Sequence, residues 1–145
     1  MTKKDIITFS EILKIFEKRS SCIRLQVAAL IIKDGRIIST GWNGVPSGNV
    51  HCKDYFKDKS IEKHHEFSEL YEIHAEANAI SFAAKNGIST KGSSLMCSIS
   101  PCSNCAKIII ASGIKEIFYL NEYDRNSNNK VIEFLKNNGI KVEKV

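Results

Sequence analysis

The alternation of short apolar runs with helix-patterned segments predicts an α/β protein, a three-layer α/β/α sandwich around a central five-stranded mixed sheet. Three observations carry that expectation. Two β-rich runs, residues 25–32 and 36–40, flank Asp34-Gly35, a dipeptide suited to a two-residue hairpin turn, so they form one antiparallel pair. Three further apolar runs, 95–99, 116–120 and 140–145, are separated by helix-length segments, the pattern of strands joined by right-handed crossovers. Finally, 145 residues with 43% apolar content can bury one sizeable core and are too few for two ordinary domains, so residues 1–145 are expected to form one domain.

In order, the first helix is expected over residues 8–19, followed by the hairpin and then a long polar segment reaching to about residue 70. From Ala75 to Ala84 the chain is Ala-rich, which favours a helix, and Asn86-Gly87 ends it, so His74 stands at its start. After the strand at 95–99, Pro101 suits the first position of another helix, whose opening turn carries Cys102 and Cys105 on one face. The strand at 116–120, a helix over 129–138 and the strand at 140–145 complete the alternation. Since helices follow strands, the helix starts gather at one edge of the sheet. No internal repeat or low-complexity segment interrupts it.

Those helix starts carry the chemistry. His74-Ala75-Glu76 and Pro101-Cys102-Ser103-Asn104-Cys105 together reproduce a known pairing, H-x-E followed by P-C-x-x-C, which marks zinc-dependent nucleobase deaminases. One imidazole and two thiolates leave a tetrahedral Zn2+ with an open fourth position, and a water there has its pKa lowered to roughly 7. The amine of a nucleobase is a poor leaving group, so an acid must also carry a proton from water to the ring and then to the departing ammonia. Glu76 is the candidate for that shuttle, and His74, Cys102 and Cys105 are the candidate ligands. The helix dipole favours thiolate at both cysteines. The competing readings are an ordinary histidine beside a redox C-x-x-C, and a structural zinc ribbon. The first needs neither the upstream H-x-E nor the proline, and the second needs another C-x-x-C, which the chain lacks.

Composition narrows the class further. No apolar run approaches the roughly 20 residues that span a bilayer, and the first residues lack the apolar core of a signal peptide, so a cytoplasmic protein is expected, with no membrane partner. In a reducing compartment, cysteines near histidines favour metal over disulfides. The net charge of +5 suits an anionic substrate such as a nucleotide, as it does a solvated lysine surface. No dense Lys/Arg block or aromatic cluster argues for a nucleic-acid groove.

The wider pattern resembles the deoxycytidylate (dCMP) deaminases of phage and bacterial type, within the cytidine deaminase-like fold. The residues that carry this are Gly41-Trp42-Asn43-Gly44-Val45-Pro46-Ser47-Gly48, His74-Ala75-Glu76-Ala77-Asn78-Ala79-Ile80, and Ser100 through Lys107, and the similarity runs from about Cys22 to Gly139. It implies conversion of dCMP to dUMP, a supply route to thymidylate. It also implies that Asn43, Gly44 and Ala75 contact the substrate; an amide can meet a hydroxyl as donor or acceptor, although Asn-Gly is also a common turn dipeptide. Trp42 stands where a tyrosine is usual. Lys53, Lys57 and Lys85 are available to meet a phosphate.

The resemblance further implies a second, structural zinc on Cys22, Cys52, His64 and Glu72, with His51 or His65 as alternatives to His64. Such an ion would staple the charge-rich segment 50–70, which otherwise buries little apolar surface. Cys97 is expected in the core of its strand. Family members are commonly homo-hexamers activated by dCTP and inhibited by dTTP, which extends the expectation to oligomer and effectors. The segment between Cys52 and His64 is shorter than in the longer phage members, and no C-terminal extension is expected after Val145. Two other classes compete: a deaminase acting on another cytosine or related base, and a catalytically silent nucleotide-binding regulator, against which the intact Glu76 argues.

Overall fold

The computed structural model describes residues 1–123 and 128–145. Helix α1 spans Lys3–Glu17, earlier than expected. Its start is set by Thr2, whose hydroxyl accepts the Asp5 N–H while the Asp5 carboxylate accepts the Thr2 N–H, a reciprocal capping box that a pattern beginning at Thr8 overlooks.

The hairpin forms as expected, β1 (Ala28–Lys33) against β2 (Arg36–Trp42). Asp34 and Gly35 have φ of 51° and 71°, the pair of positive values that a twist-matched two-residue turn needs. Residues 25–27, placed in the first strand by their apolar character, lie outside it. The Asn43 side chain takes the ladder's place there, accepting from the Val27 N–H at 2.8 Å and donating to the Leu25 carbonyl at 2.8 Å.

The polar segment is not one loop. It folds into a single helical turn α2 (Cys52–Tyr55), a 3-10 turn (Ile61–Lys63) and helix α3 (His64–Tyr71). Phe56 and Phe67 are buried here with Cys22 and Cys52, so this segment packs a satellite core of its own, more apolar than its charge suggested. Then come α4 (Ala75–Lys85), β3 (Ser94–Ile99), α5 (Ser103–Ala111), β4 (Glu116–Asn121), α6 (Asn128–Asn137) and β5 (Lys141–Lys144).

The five strands form one mixed sheet in the order β2-β1-β3-β4-β5, antiparallel across β2-β1-β3 and parallel across β3-β4-β5. Alternate residues feed two cores, as strand geometry requires. Ala29, Ile31, Leu95, Cys97, Ile117 and Tyr119 meet α4, α5 and α6 on one face; Ala28, Leu30, Ile32, Met96 and Phe118 meet Phe9 and Leu13 of α1 on the other. This is the expected three-layer sandwich, with Cys97 in its core. Among the described residues no helix is long and apolar enough to cross a membrane.

Candidate active site and metal centres

Two helix starts meet beyond the end of β3. His74 and Cys102 are the residues immediately before α4 and α5, both extended (ψ 152° and 171°), and neither side chain caps its helix. Both are therefore free to turn toward each other. Cys102 is the N-cap of α5 and Ser103 its first residue, so Pro101 lies two positions before the helix it was expected to open. Cys105 then falls one turn later, on the same face.

The resulting spacing fits a metal. His74 Nδ1 lies 3.4 Å from Cys102 Sγ and 3.5 Å from Cys105 Sγ. Ligands at Zn–N and Zn–S bond lengths on a tetrahedron stand about 3.6 Å apart, so these three atoms already describe one face of such a site. The charge pattern agrees. The Cys102 thiol is pulled down to about 3, chiefly by a hydrogen bond from Cys105 and further by His74, while Cys105 is pushed up, first by that bond to Cys102 and then by burial. His74 is raised above its ordinary value, first by its bond to Cys102.

Glu76, in the first turn of α4, is buried, with Oε2 3.6 Å from Cys105 Sγ. Burial raises its carboxyl above the ordinary value, so at this position a proton is held more tightly than in water. A buried carboxyl thus stands next to the donor set without belonging to it.

A cavity of about 450 Å3 opens onto this centre, and His74, Ala75, Glu76, Cys102 and Asn43 all line it. Gly44 does not. Its backbone is paired with Ile73 instead, at 2.8 and 3.1 Å. Nor do Lys53, Lys57 or Lys85 line it; among the described residues, the one Lys or Arg that does is Arg24. Sequence reasoning passed over Arg24, whose signal was its place two residues after a metal-type cysteine.

The leftover ligands also converge. Cys22 Sγ lies 3.3 Å from His64 Nε2, and one donor atom from each of Cys22, Cys52, His64 and Glu72 lies within 4.8 Å of the others. All four are buried. Glu72 Oε1 is buried with no hydrogen-bond partner, an orphan that a cation would satisfy. Burial lifts the Cys52 thiol to about 11 and lowers His64. Two thiols, an imidazole and a carboxylate form a zinc-type donor set, and His64 is the histidine included; His51 instead contacts Ser21 and His65 pairs with Glu69.

A sandwich that brings an H-x-E helix start and a C-x-x-C helix start to one cavity has the build of a metal-dependent base-modifying hydrolase. The chain belongs to the cytidine and deoxycytidylate deaminase family, whose zinc-binding region matches residues 3–121. It is 37% identical to the deoxycytidylate deaminase of Enterobacteria phage T4 over 93% of this chain and 86% of that protein. The human deoxycytidylate deaminase is 35% identical over 72% of this chain and 58% of its own length. Among solved structures, the dCMP deaminase of cyanophage S-TIM5, determined with dCMP and dUMP, superposes with a TM-score of 0.84 at 33% identity, covering 100% of this chain and 99% of that one.

Proposed function

We propose that the protein hydrolyses dCMP to dUMP and ammonia. The observation that carries this is the buried Glu76 carboxyl beside the His74, Cys102 and Cys105 donor set, at the base of a cavity that also holds Arg24. A Zn2+ held by those three ligands supplies a water acidic enough to react near neutral pH. Glu76 would take one proton from that water and deliver it to the ring nitrogen as the oxygen adds to the ring carbon, then take the second proton of the same oxygen and pass it to the amine, which leaves as ammonia while the product carbonyl forms. Its raised carboxyl suits both acceptance and return. Ala75 forms part of the wall against the base, Asn43 holds the segment 25–27 and lies within reach of the sugar, and Arg24 meets the 5′-phosphate. Arg24 in place of the surface lysines makes the phosphate partner a guanidinium, whose fork matches phosphate oxygens.

A second Zn2+ on Cys22, Cys52, His64 and Glu72 belongs to the same reading, supported by the orphaned Glu72 oxygen. A homo-hexamer and control by dCTP and dTTP rest on the family resemblance alone, and a cytoplasmic setting on the sequence pattern alone.

The test is to incubate zinc-loaded protein with dCMP and, in parallel, deoxycytidine, CMP and dCTP, and to follow products by chromatography. Preferential dUMP formation supports the proposal; preferential turnover of one of the other three, or of none of the four, rejects it. Glu76→Ala is expected to keep its metal and lose turnover by at least the 10²- to 10⁴-fold typical of a lost proton carrier. Retained activity would remove Glu76 from its role.

A further inference from the structure

The two donor sets face one cavity and are one residue apart in the chain. Cys22, His64 and Glu72 line the same cavity as His74, Glu76 and Cys102. Glu72 and His74 both have extended backbones, with ψ of 130° and 152°, so across this short stretch their side chains project to the same side while that of Ile73 projects away. Ile73 is fixed by both its backbone groups. Its N–H donates to the Gly44 carbonyl at 2.8 Å and its carbonyl accepts the Gly44 N–H at 3.1 Å.

Gly44 in turn follows Asn43, whose amide holds Val27 and Leu25. That segment begins at Cys22, itself a member of the second cluster. A short closed circuit results: Cys22, the Arg24–Val27 wall, Asn43-Gly44, Ile73, and then Glu72 back to Cys22. His74 leaves the circuit at its tightest point. Any ordering of Glu72 is passed to His74 through one pinned peptide unit, and any ordering of Cys22 is passed to Arg24 through one residue.

We infer that the second cluster is a metal-operated positioning device for the first: an ion on Cys22, Cys52, His64 and Glu72 sets the direction of His74 and of the Arg24 wall, so the two clusters fill cooperatively. The inference rests on the second metal site proposed above. It differs from a local staple, which would order α2 and α3 and leave the affinity of the other centre unchanged. Cooperativity follows because the first ion bears the ordering cost of a segment that both sites share, and the coupling is reciprocal.

Co2+ provides the test, since its visible spectrum distinguishes a site with two thiolates, an imidazole and a carboxylate from one with two thiolates, an imidazole and water. Metal-free wild-type protein is titrated with Co2+, with Cys52→Ser and His74→Ala variants assigning the two spectra. The expected result is that both spectra grow together and that less one-metal species forms than independent filling of the two sites would give. In Glu72→Gln, which keeps the side chain's shape and removes its charge, the His74 centre is expected to bind Co2+ at least ~fivefold more weakly, the lower end of ordinary coupling between sites, although position 72 supplies none of that centre's ligands. Independent filling, with an unchanged His74 centre in Glu72→Gln, overturns the inference. If Glu72→Gln does not fold, the wild-type titration alone decides. Binding of a single Co2+ rejects the second site and the coupling with it, while dCMP turnover judges the deaminase reading separately.

Discussion

A methyl group at Gly41 would overlap the carbonyl oxygen of Ala75, the residue between His74 and Glu76, and would also press on the Ala79 N–H. Strand β2 and helix α4 therefore approach as closely as backbones allow. Two polar contacts hold them there: Ser39 Oγ donates to the Ala79 carbonyl at 2.6 Å and Asn78 Nδ2 donates to the Trp42 carbonyl at 2.9 Å.

Gly41→Ala follows directly from that contact. The atoms it meets are backbone, which cannot rotate away, so α4 must shift. We expect a loss of about 1–3 kcal/mol, the usual cost of overpacking, read from urea unfolding. Because the shift occurs at the helix start, metal content and turnover should fall too. A variant as stable and as active as wild type would show that α4 is not held by this contact.

Glu76 gives a pH-dependent prediction for the metal-free protein. Burial raises its carboxyl above the ordinary 4.5, so the folded state holds the proton more tightly than the unfolded state. Stability from this group is then fully present below pH 4.5 and is lost as pH rises through the raised folded value. Glu76→Gln cannot titrate. It should melt at a higher temperature than wild type at neutral pH, with the gap closing as pH falls toward 4.5. A gap that stays constant with pH would separate Glu76 from this desolvation.

Asn43 is used at both ends of its amide, so its removal strands two backbone groups. Asn43→Ala leaves the Val27 N–H and the Leu25 carbonyl without these partners, at about 1–3 kcal/mol for each such group where water is excluded. Asn43→Asp keeps an acceptor for Val27 and loses the donor to Leu25. We expect Asp to be the less damaging in urea unfolding, and both to raise the KM for dCMP as the Arg24 wall loosens. Unchanged KM in both would mean that segment 25–27 does not shape substrate binding.

The hairpin, the alternation of strands and helices after it, and the His74, Cys102 and Cys105 donor set were legible in the sequence, because each rests on a local rule: a turn dipeptide, an alternation, a ligand spacing. Cys22, Cys52, His64 and Glu72 have no such spacing, and it was the family resemblance that joined them. What was not legible depends on partners distant in the chain. Residues 25–27 read as strand from composition, but Asn43, sixteen residues on from Val27, binds their backbone instead. The segment 50–70 read as loop because its charges hide two buried phenylalanines that pack against Cys22 and Cys52. Arg24 has only its place two residues after Cys22 to mark it; the closing of the cavity sets it apart from the lysines. The helix before it starts early for a local reason that was simply overlooked, the Thr2 and Asp5 capping box.

Chelation should unfold the protein unevenly. Helices α2 and α3 bury Phe56, Phe67 and the second donor set but contribute little to the two cores on the sheet, which draw on α1, α4, α5 and α6. With metal removed, four buried groups lose their common partner, Glu72 Oε1 is left without a hydrogen bond, and burial holds the Cys52 thiol up at about 11. Hydrogen exchange read by mass spectrometry should then show residues 52–72 losing protection first, by orders of magnitude, while β1, β3 and β4 keep theirs. Restoring Zn2+ should return it. Cys52→Ser should show the same loss with metal present, and His74→Ala should retain protection over α2 while losing one equivalent of zinc. Equal exchange across both regions after chelation would place the metal outside the balance that holds this segment.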